Sequence, residues 1–215
     1  PRILSDSTGG CLVFWVGGFE GEPSAYWGQR IDSSGDFLWD DSGKVIISLS
    51  PSEVNWFYER YYPTVDYDGI GGIIVGSEFA VQRVRKDGEI DWGEKGIEVM
   101  YGDRRGDGYG GVYTFNSHND FFEYPRIEME HYDSSGVLTW REVVWQGEYA
   151  DSNDTEMYIS SSLTGSDRAL IIGWDYYRTG SILMMKIDRD GNSLWGGAVE
   201  VSKGGDFVRD LMNTR

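Results

Sequence analysis

Four copies of a Gly-x-x-x-Trp pattern, each just after a strand-like run, constrain this chain more than any other feature. They are Gly35 with Trp39, Gly88 with Trp92, Gly136 with Trp140 and Gly191 with Trp195. Successive tryptophans stand 53, 48 and 55 residues apart. A spacing of that size marks an array of supersecondary units. Each unit opens on a glycine-rich turn feeding an apolar run: Gly9-Gly10-Cys11-Leu12-Val13-Phe14-Trp15, Gly71-Gly72-Ile73-Ile74-Val75 and Gly110-Gly111-Val112-Tyr113-Thr114-Phe115. The fourth copy, Arg168-Ala169-Leu170-Ile171-Ile172-Gly173-Trp174, is looser. Short apolar runs bounded by turn signals read as strands covered on both faces.

A second strand follows in every unit: Tyr26 to Asp32, Phe79 to Arg85, Ile127 to Asp133 and Ile182 to Asp188. It ends in Ser33-Ser34-Gly35, Lys86-Asp87-Gly88, Ser134-Ser135-Gly136 or Arg189-Asp190-Gly191, where glycine supplies the positive φ of a tight hairpin. A third strand runs past the tryptophan, clearest in Gly43-Lys44-Val45-Ile46-Ile47 and Gly96-Ile97-Glu98-Val99-Met100. Leading segments at Pro1 to Asp6 and Pro63 to Asp66 supply the remaining strand. Four short antiparallel strands per unit is the arithmetic of a propeller blade. The expected fold is therefore all-β and of β-propeller type, with about four four-stranded blades and almost no helix. In it, Trp39, Trp92, Trp140 and Trp195 wedge between adjacent blades while the indole nitrogen finds a backbone carbonyl. Gly35, Gly88, Gly136 and Gly191 shape the turns.

The segments Ile31-Asp32-Ser33-Ser34-Gly35-Asp36-Phe37-Leu38-Trp39 and Ile187-Asp188-Arg189-Asp190-Gly191-Asn192-Ser193-Leu194-Trp195 resemble the tryptophan-docking repeat of quinoprotein-like propellers. That group includes alcohol dehydrogenases using pyrroloquinoline quinone and non-enzymatic outer-membrane assembly lipoproteins. The whole grammar, a Gly-Gly apolar strand, a Gln-Arg strand, an Asp-Ser-Ser-Gly turn and Leu-Trp, looks like a repeat of large secreted bacterial surface proteins. The resemblance implies blade structure and carries no chemistry.

The 215 residues suit a single repeat region, with approximate units 1–62, 63–106, 107–156 and 157–208 and a further strand beginning at 209–215. Three departures from regularity stand out. The third unit follows its predecessor closely, which predicts a truncated or missing leading strand and an irregular third blade. The longer connection before the second unit carries Trp56, Phe57, Tyr58, Tyr61 and Tyr62, an aromatic cluster without counterpart in the other units. It reads either as a binding loop on a rigid scaffold or as local packing over a blade edge. The chain is also cut in phase with its repeat: four blades can close a ring, further blades can extend it, or a second chain can complete it.

A formal charge of −17 argues against nucleic acid or an anionic membrane as partner. No apolar stretch reaches membrane-span length. The single cysteine, Cys11, lies in an apolar run and reads as a buried, inert thiol. The acidic turn Asp188-Arg189-Asp190-Gly191-Asn192 has its glycine in the fourth place and Val199 in the twelfth, unlike a calcium loop, so calcium is a minor option and no cofactor is expected. Asp133 to Trp140 resembles a sialidase turn with the wrong glycine-to-tryptophan register. The two histidines, His118 and His131, sit in neither a nucleophile elbow nor metal-ligand spacing. His131 occupies the repeat position of Arg30, Arg83 and Lys186, where a basic residue is expected to pair with neighbouring acids.

These readings converge on a non-enzymatic module for binding or scaffolding, extracellular, periplasmic or on the cell surface, with protein or carbohydrate partners. The alternative is a carbohydrate-active hydrolase or lyase on the same scaffold; a quinone-dependent oxidoreductase has least support. Replacing Tyr61 and Tyr62 by alanine is expected to leave the melting temperature unchanged and weaken a partner contact. A large drop in thermal stability instead marks the cluster as packing.

Overall fold

The computed structural model describes residues 1–17, 25–49, 63–77, 79–118, 124–147, 159–164, 168–176 and 181–202. Among them every regular element is a strand, and the strands form four four-stranded sheets. The first holds β1 (Arg2–Ser5), β2 (Cys11–Gly17), β3 (Ala25–Ile31) and β4 (Lys44–Ser48). The second holds β5 (Thr64–Tyr67), β6 (Ile73–Gly76), β7 (Ala80–Val84) and β8 (Ile97–Glu98). The third holds β9 (Asp103–Gly106), β10 (Val112–His118), β11 (Arg126–Tyr132) and β12 (Leu138–Gln146). The fourth holds β13 (Ile159–Leu163), β14 (Leu170–Tyr176), β15 (Ser181–Ile187) and β16 (Val199–Ser202). Each sheet is a meander whose strands lie side by side in chain order. No helix among the described residues is long and apolar enough to cross a membrane.

The chain divides into two compact units, Pro1–Val112 with Tyr132–Val137, and Tyr113–His131 with Leu138–Arg215; the boundary runs through the third sheet. In the first unit, Leu12, Phe14, Tyr26, Ile46 and Ile47 of the first sheet are buried together with Ile73, Val75 and Val84 of the second. A second cluster joins Ile74, Val81, Trp92 and Val99 to Val112 and Tyr132. In the second unit, Tyr113, Phe115, Ile127 and Met129 pack with Leu170, Ile172, Trp174, Met185 and Ile187. Alternating residues of β6 enter different clusters, Ile73 and Val75 one and Ile74 the other, as the two-residue period of a strand requires.

Two hairpin devices recur. Before the second strand of the first three sheets, the backbone doubles back through Asp6, Asp68 or Asp107, whose Oδ1 accepts the amides two and four residues on at 2.7–2.8 Å. After the third strand, Asp32, Asp133 and Asp188 do the same for the amides of Ser34 and Asp36, Ser135 and Val137, and Asp190 and Asn192. Such aspartate turns satisfy amides that the sheet cannot reach. The carboxylate that a calcium loop would need at Asp188 therefore faces its own backbone.

A third device brackets the tryptophan. Gln29 accepts the Trp39 amide at 3.1 Å and donates from Nε2 to the Asp40 carbonyl at 2.6 Å. Gln82 treats Trp92 and the Gly93 carbonyl in the same way. Both glutamines are buried, so each closes a tight turn from within. In the third sheet this position is Glu130, and a carboxylate has no proton to donate to a turn carbonyl. Glu130 instead accepts from Arg141 and from the Thr114 hydroxyl, and β12 runs on as a nine-residue strand through Trp140.

The irregular third unit takes a different form from the one expected. Its leading strand is present as β9, within the stretch allotted to the second unit on sequence grounds. Asp103-Arg104-Arg105-Gly106 has no apolar residue, so hydropathy does not reveal it. The connection is short because β8 has only two residues.

Arg30 donates to the Asp6 carboxylate at 2.8 Å and Arg83 bridges Asp68 and Asp91 at 2.7 and 2.6 Å. Hydrogen bonds from the Thr8 hydroxyl and then from Arg30 hold the Asp6 carboxyl far below the usual carboxylate range. A depressed folded-state pKa stabilises the fold above the unfolded value and is lost as pH falls. Thermal melts across pH should therefore show Asp6→Asn below wild type at neutral pH, with the gap narrowing below about pH 4. Gln82→Leu leaves the Trp92 amide and the Gly93 carbonyl without their partner and should cost about 1–3 kcal/mol in urea melts.

Candidate functional site

The strongest candidate is the set of seats in which an indole lies on a hairpin glycine. The turn glycines share one backbone conformation, with φ of 91° at Gly35, 87° at Gly88, 81° at Gly136 and 87° at Gly191. A positive φ favours glycine on conformational grounds alone. Three of the turns carry a second demand. A Cβ on Gly88 would stand 2.7 Å from the Trp39 ring, one on Gly136 2.9 Å from Trp92, and one on Gly191 3.3 Å from Trp140. Trp39, Trp92 and Trp140 thus each lie on the turn glycine of the following repeat. Both members of every such pair belong to the same compact unit.

The indole nitrogen completes the seat. Trp92 Nε1 donates to the Ser134 carbonyl at 3.3 Å, and Trp140 Nε1 donates to the Arg189 carbonyl at 2.8 Å. Both acceptors stand two residues before the seat glycine. The equivalent acceptor for Trp39 is the Lys86 carbonyl, which takes a hydrogen bond from Arg30 Nη1 at 3.2 Å. Among the described residues the buried Nε1 of Trp39 has no hydrogen-bond partner. The seats therefore share a steric fit and differ in polar closure. Trp92 is the most enclosed at 8% exposure, whereas Trp195 is 44% exposed.

Gly35 is the counterpart of that exposed indole. Among the described residues nothing lies within 4 Å of a Cβ built on it. Four tryptophans and four glycines thus give three occupied seats, one indole over and one glycine over. The sequence pattern reveals the four pairs as i and i+4 neighbours, but the working pairs are tryptophan to next glycine, a spacing visible only in three dimensions.

The remaining candidates resolve unevenly. Arg30 and Arg83 are held by the carboxylates already described. His131 lies with its Nδ1 2.6 Å from the Thr139 hydroxyl and its ring stacked on Trp140 at 5.9 Å. Tyr113 sits 4.8 Å from the same imidazole. His118 Nε2 is 3.1 Å from the Glu128 carboxylate. Cys11 is half-buried rather than fully enclosed. The aromatic cluster Trp56, Phe57, Tyr58, Tyr61 and Tyr62 lies outside the described residues. Gln29, Gln82 and Glu130 were not singled out by sequence reasoning; the recurring Gln-Arg pair on the third strand is the signal that marks two of them. Asp66 is a further partly buried acid whose carboxyl is pushed up by burial, opposed by Arg105 and the Gly106 amide.

Among the described residues no group of three or more His, Cys, Asp and Glu side chains is arranged to hold a metal ion. No protein-family model matches the chain, and no curated protein matches it. The seat geometry predicts a sharp contrast between equivalent tryptophans. In urea melts of dilute protein, Trp92→Ala should cost about 3–5 kcal/mol, the range for deleting a buried large aromatic. Trp195→Ala should stay within about 0.5 kcal/mol of wild type, as surface changes do.

Proposed function

We propose that the four sheets are blades of a β-propeller-type assembly and that the chain is a non-enzymatic binding or scaffold module. It acts outside the cytoplasm, through protein or glycan contacts at a cell envelope or surface. The observation that carries this reading is the recurrence of the seat, in which an indole of one sheet rests on a hairpin glycine of the next. Further support comes from the four chain-ordered meanders, the architecture that blades require. Within the first unit, the fourth strand of one sheet is covered by the sheet that follows it, as stacked blades would be.

The engagement of four carboxylates near the repeat's basic position supports binding over catalysis at those acids. The carboxylates of Asp6, Asp68, Asp91 and Glu130 are engaged by Arg30, Arg83 and Arg141, and several also cap backbone amides. Acid–base work needs a carboxyl free to exchange its proton with a substrate. Localisation outside the cytoplasm is supported by the likeness of the repeat grammar to that of secreted surface proteins.

The test presents the purified chain to immobilised envelope polysaccharides and envelope proteins, and follows retention together with the mass of every soluble product. Saturable retention with ligands of unchanged mass is expected. Shortened saccharides in solution would replace this reading with a carbohydrate-active hydrolase or lyase. Cell fractionation checks the compartment: recovery with a cytoplasmic marker, rather than in the medium, periplasmic or surface fraction, counts against an envelope or surface role.

A further inference from the structure

We propose that Asp87 and Asp190, each directly before a seat glycine, are sites of spontaneous conversion to isoaspartate, and that the conversion unseats Trp39 and Trp140. Asp-Gly pairs occur at 68–69, 87–88, 107–108 and 190–191. In such a pair the glycine amide nitrogen, unscreened by a side chain, attacks Cγ of the aspartate. A C–N bond forms, the amide proton and the carboxyl hydroxyl leave as water, and a cyclic imide results. Water then opens the ring. Attack at the main-chain carbonyl leaves the glycine nitrogen bonded to Cγ, so the backbone now runs through Cβ. Net mass is unchanged, and solvent water is the only co-reactant.

The fold treats the four pairs unequally. Asp68 and Asp107 are fully buried. Their Oδ1 atoms accept the amides of Ile70 and Gly72, and of Tyr109 and Gly111, at 2.7–2.8 Å, and Asp68 Oδ2 also takes Arg83. The glycines that follow are packed on each other: a Cβ on Gly69 would stand 2.3 Å from Gly108. Neither carboxylate is free to swing its Cγ onto the next amide, and water is kept from both.

Asp87 and Asp190 stand instead at exposed hairpin tips. Asp87 Oδ1 accepts only the Glu89 amide, at 3.1 Å, and the Asp190 carboxylate makes no hydrogen bond or ion pair among the described residues. One turn hydrogen bond holds each attacking nitrogen: Gly88 N donates to the Arg85 carbonyl at 2.9 Å and Gly191 N to the Asp188 carbonyl at 3.2 Å. Solvent-facing turns of this kind open locally at little free-energy cost. The Asp190 turn is the looser of the two in its amide bond, in its side-chain contacts and in its indole, which stands 3.3 Å from a Cβ position against 2.7 Å at Gly88. Asp190 therefore converts first.

The consequence falls on the seat. Isoaspartate adds a carbon to the main chain immediately before the glycine that an indole covers, so Gly88 leaves its place under Trp39 and Gly191 its place under Trp140. The Gly136 seat follows Ser135, and Gly35 follows Ser34, neither of which has a carboxyl to cyclise. Serine is thus the form of this turn that the chain itself uses where no conversion can occur.

The test ages the purified chain at physiological pH, folded and in urea, and maps its peptides by electron-transfer fragmentation, which separates isoaspartate from aspartate. In the folded protein isoaspartate is expected to rise at Asp190 and then at Asp87, with Asp68 and Asp107 unchanged; in urea all four should convert. No conversion at Asp87 or Asp190 over the time in which the urea-unfolded chain converts overturns the proposal, as does conversion at Asp68 and Asp107 as fast as at the exposed pair. Thermal melts read the effect on the seats. Aged wild type should melt lower than fresh protein, whereas an Asp87→Ser/Asp190→Ser variant, its fresh fold checked by circular dichroism, should keep its melting temperature. Converted wild type that melts like fresh protein overturns the link between the modification and the seats.

Discussion

The close approach of an indole ring to a glycine lacking a Cβ is the contact on which the rest of this structure depends. It is short-ranged and directional: a Cβ on Gly88 would come within 2.7 Å of Trp39, a separation that forces something to shift. Each contact ties the end of one repeat to the third-strand hairpin of the next. The flanking apolar residues then add non-directional burial, as Ile46 and Ile47 do with Ile73, Val75 and Val84. Geometry fixes where neighbouring sheets meet, and apolar area supplies most of the driving force. Glutamine brackets at Gln29 and Gln82 hold the tryptophan backbone in place for that meeting.

The third sheet shows what happens when one bracket residue changes. Glu130 keeps the acceptor half of glutamine and loses the donor half, and the chain following it abandons the tight turn for a long strand. Arg141, one residue past Trp140, now supplies the charge that a buried carboxylate requires. Yet Trp140 still reaches its seat and still donates to the Arg189 carbonyl. The seat therefore tolerates two different backbone routes after the tryptophan.

Much of this architecture was legible in the residues. The Gly-Gly apolar runs placed β2, β6 and β10, and the Asp-Ser-Ser-Gly turns located the hairpins, because turn chemistry and strand periodicity are local properties. Strand β9 was not legible, since Asp103, Arg104, Arg105 and Gly106 carry no apolar signal and are ordered by their neighbours. The inequality among the four tryptophans was equally hidden. Trp92 and Trp195 share the pattern Asp-Gly-x-x-x-Trp-Gly, yet the first is buried and the second exposed, a difference set by what lies beyond that pattern in three dimensions. Lone pairs and donors were hidden too: nothing local shows that the Lys86 carbonyl is taken by Arg30 rather than by Trp39.

The hairpin glycines carry a consequence for how such a chain can change in length. Gly35 must be glycine for its φ alone, with or without an indole above it. Turn chemistry thus keeps every landing spot clear whether or not anything lands there. A duplication or deletion of one whole repeat therefore leaves no broken joint, because each new end is already a matching half. Recombination could lengthen or trim the array without any compensating substitution at the junction.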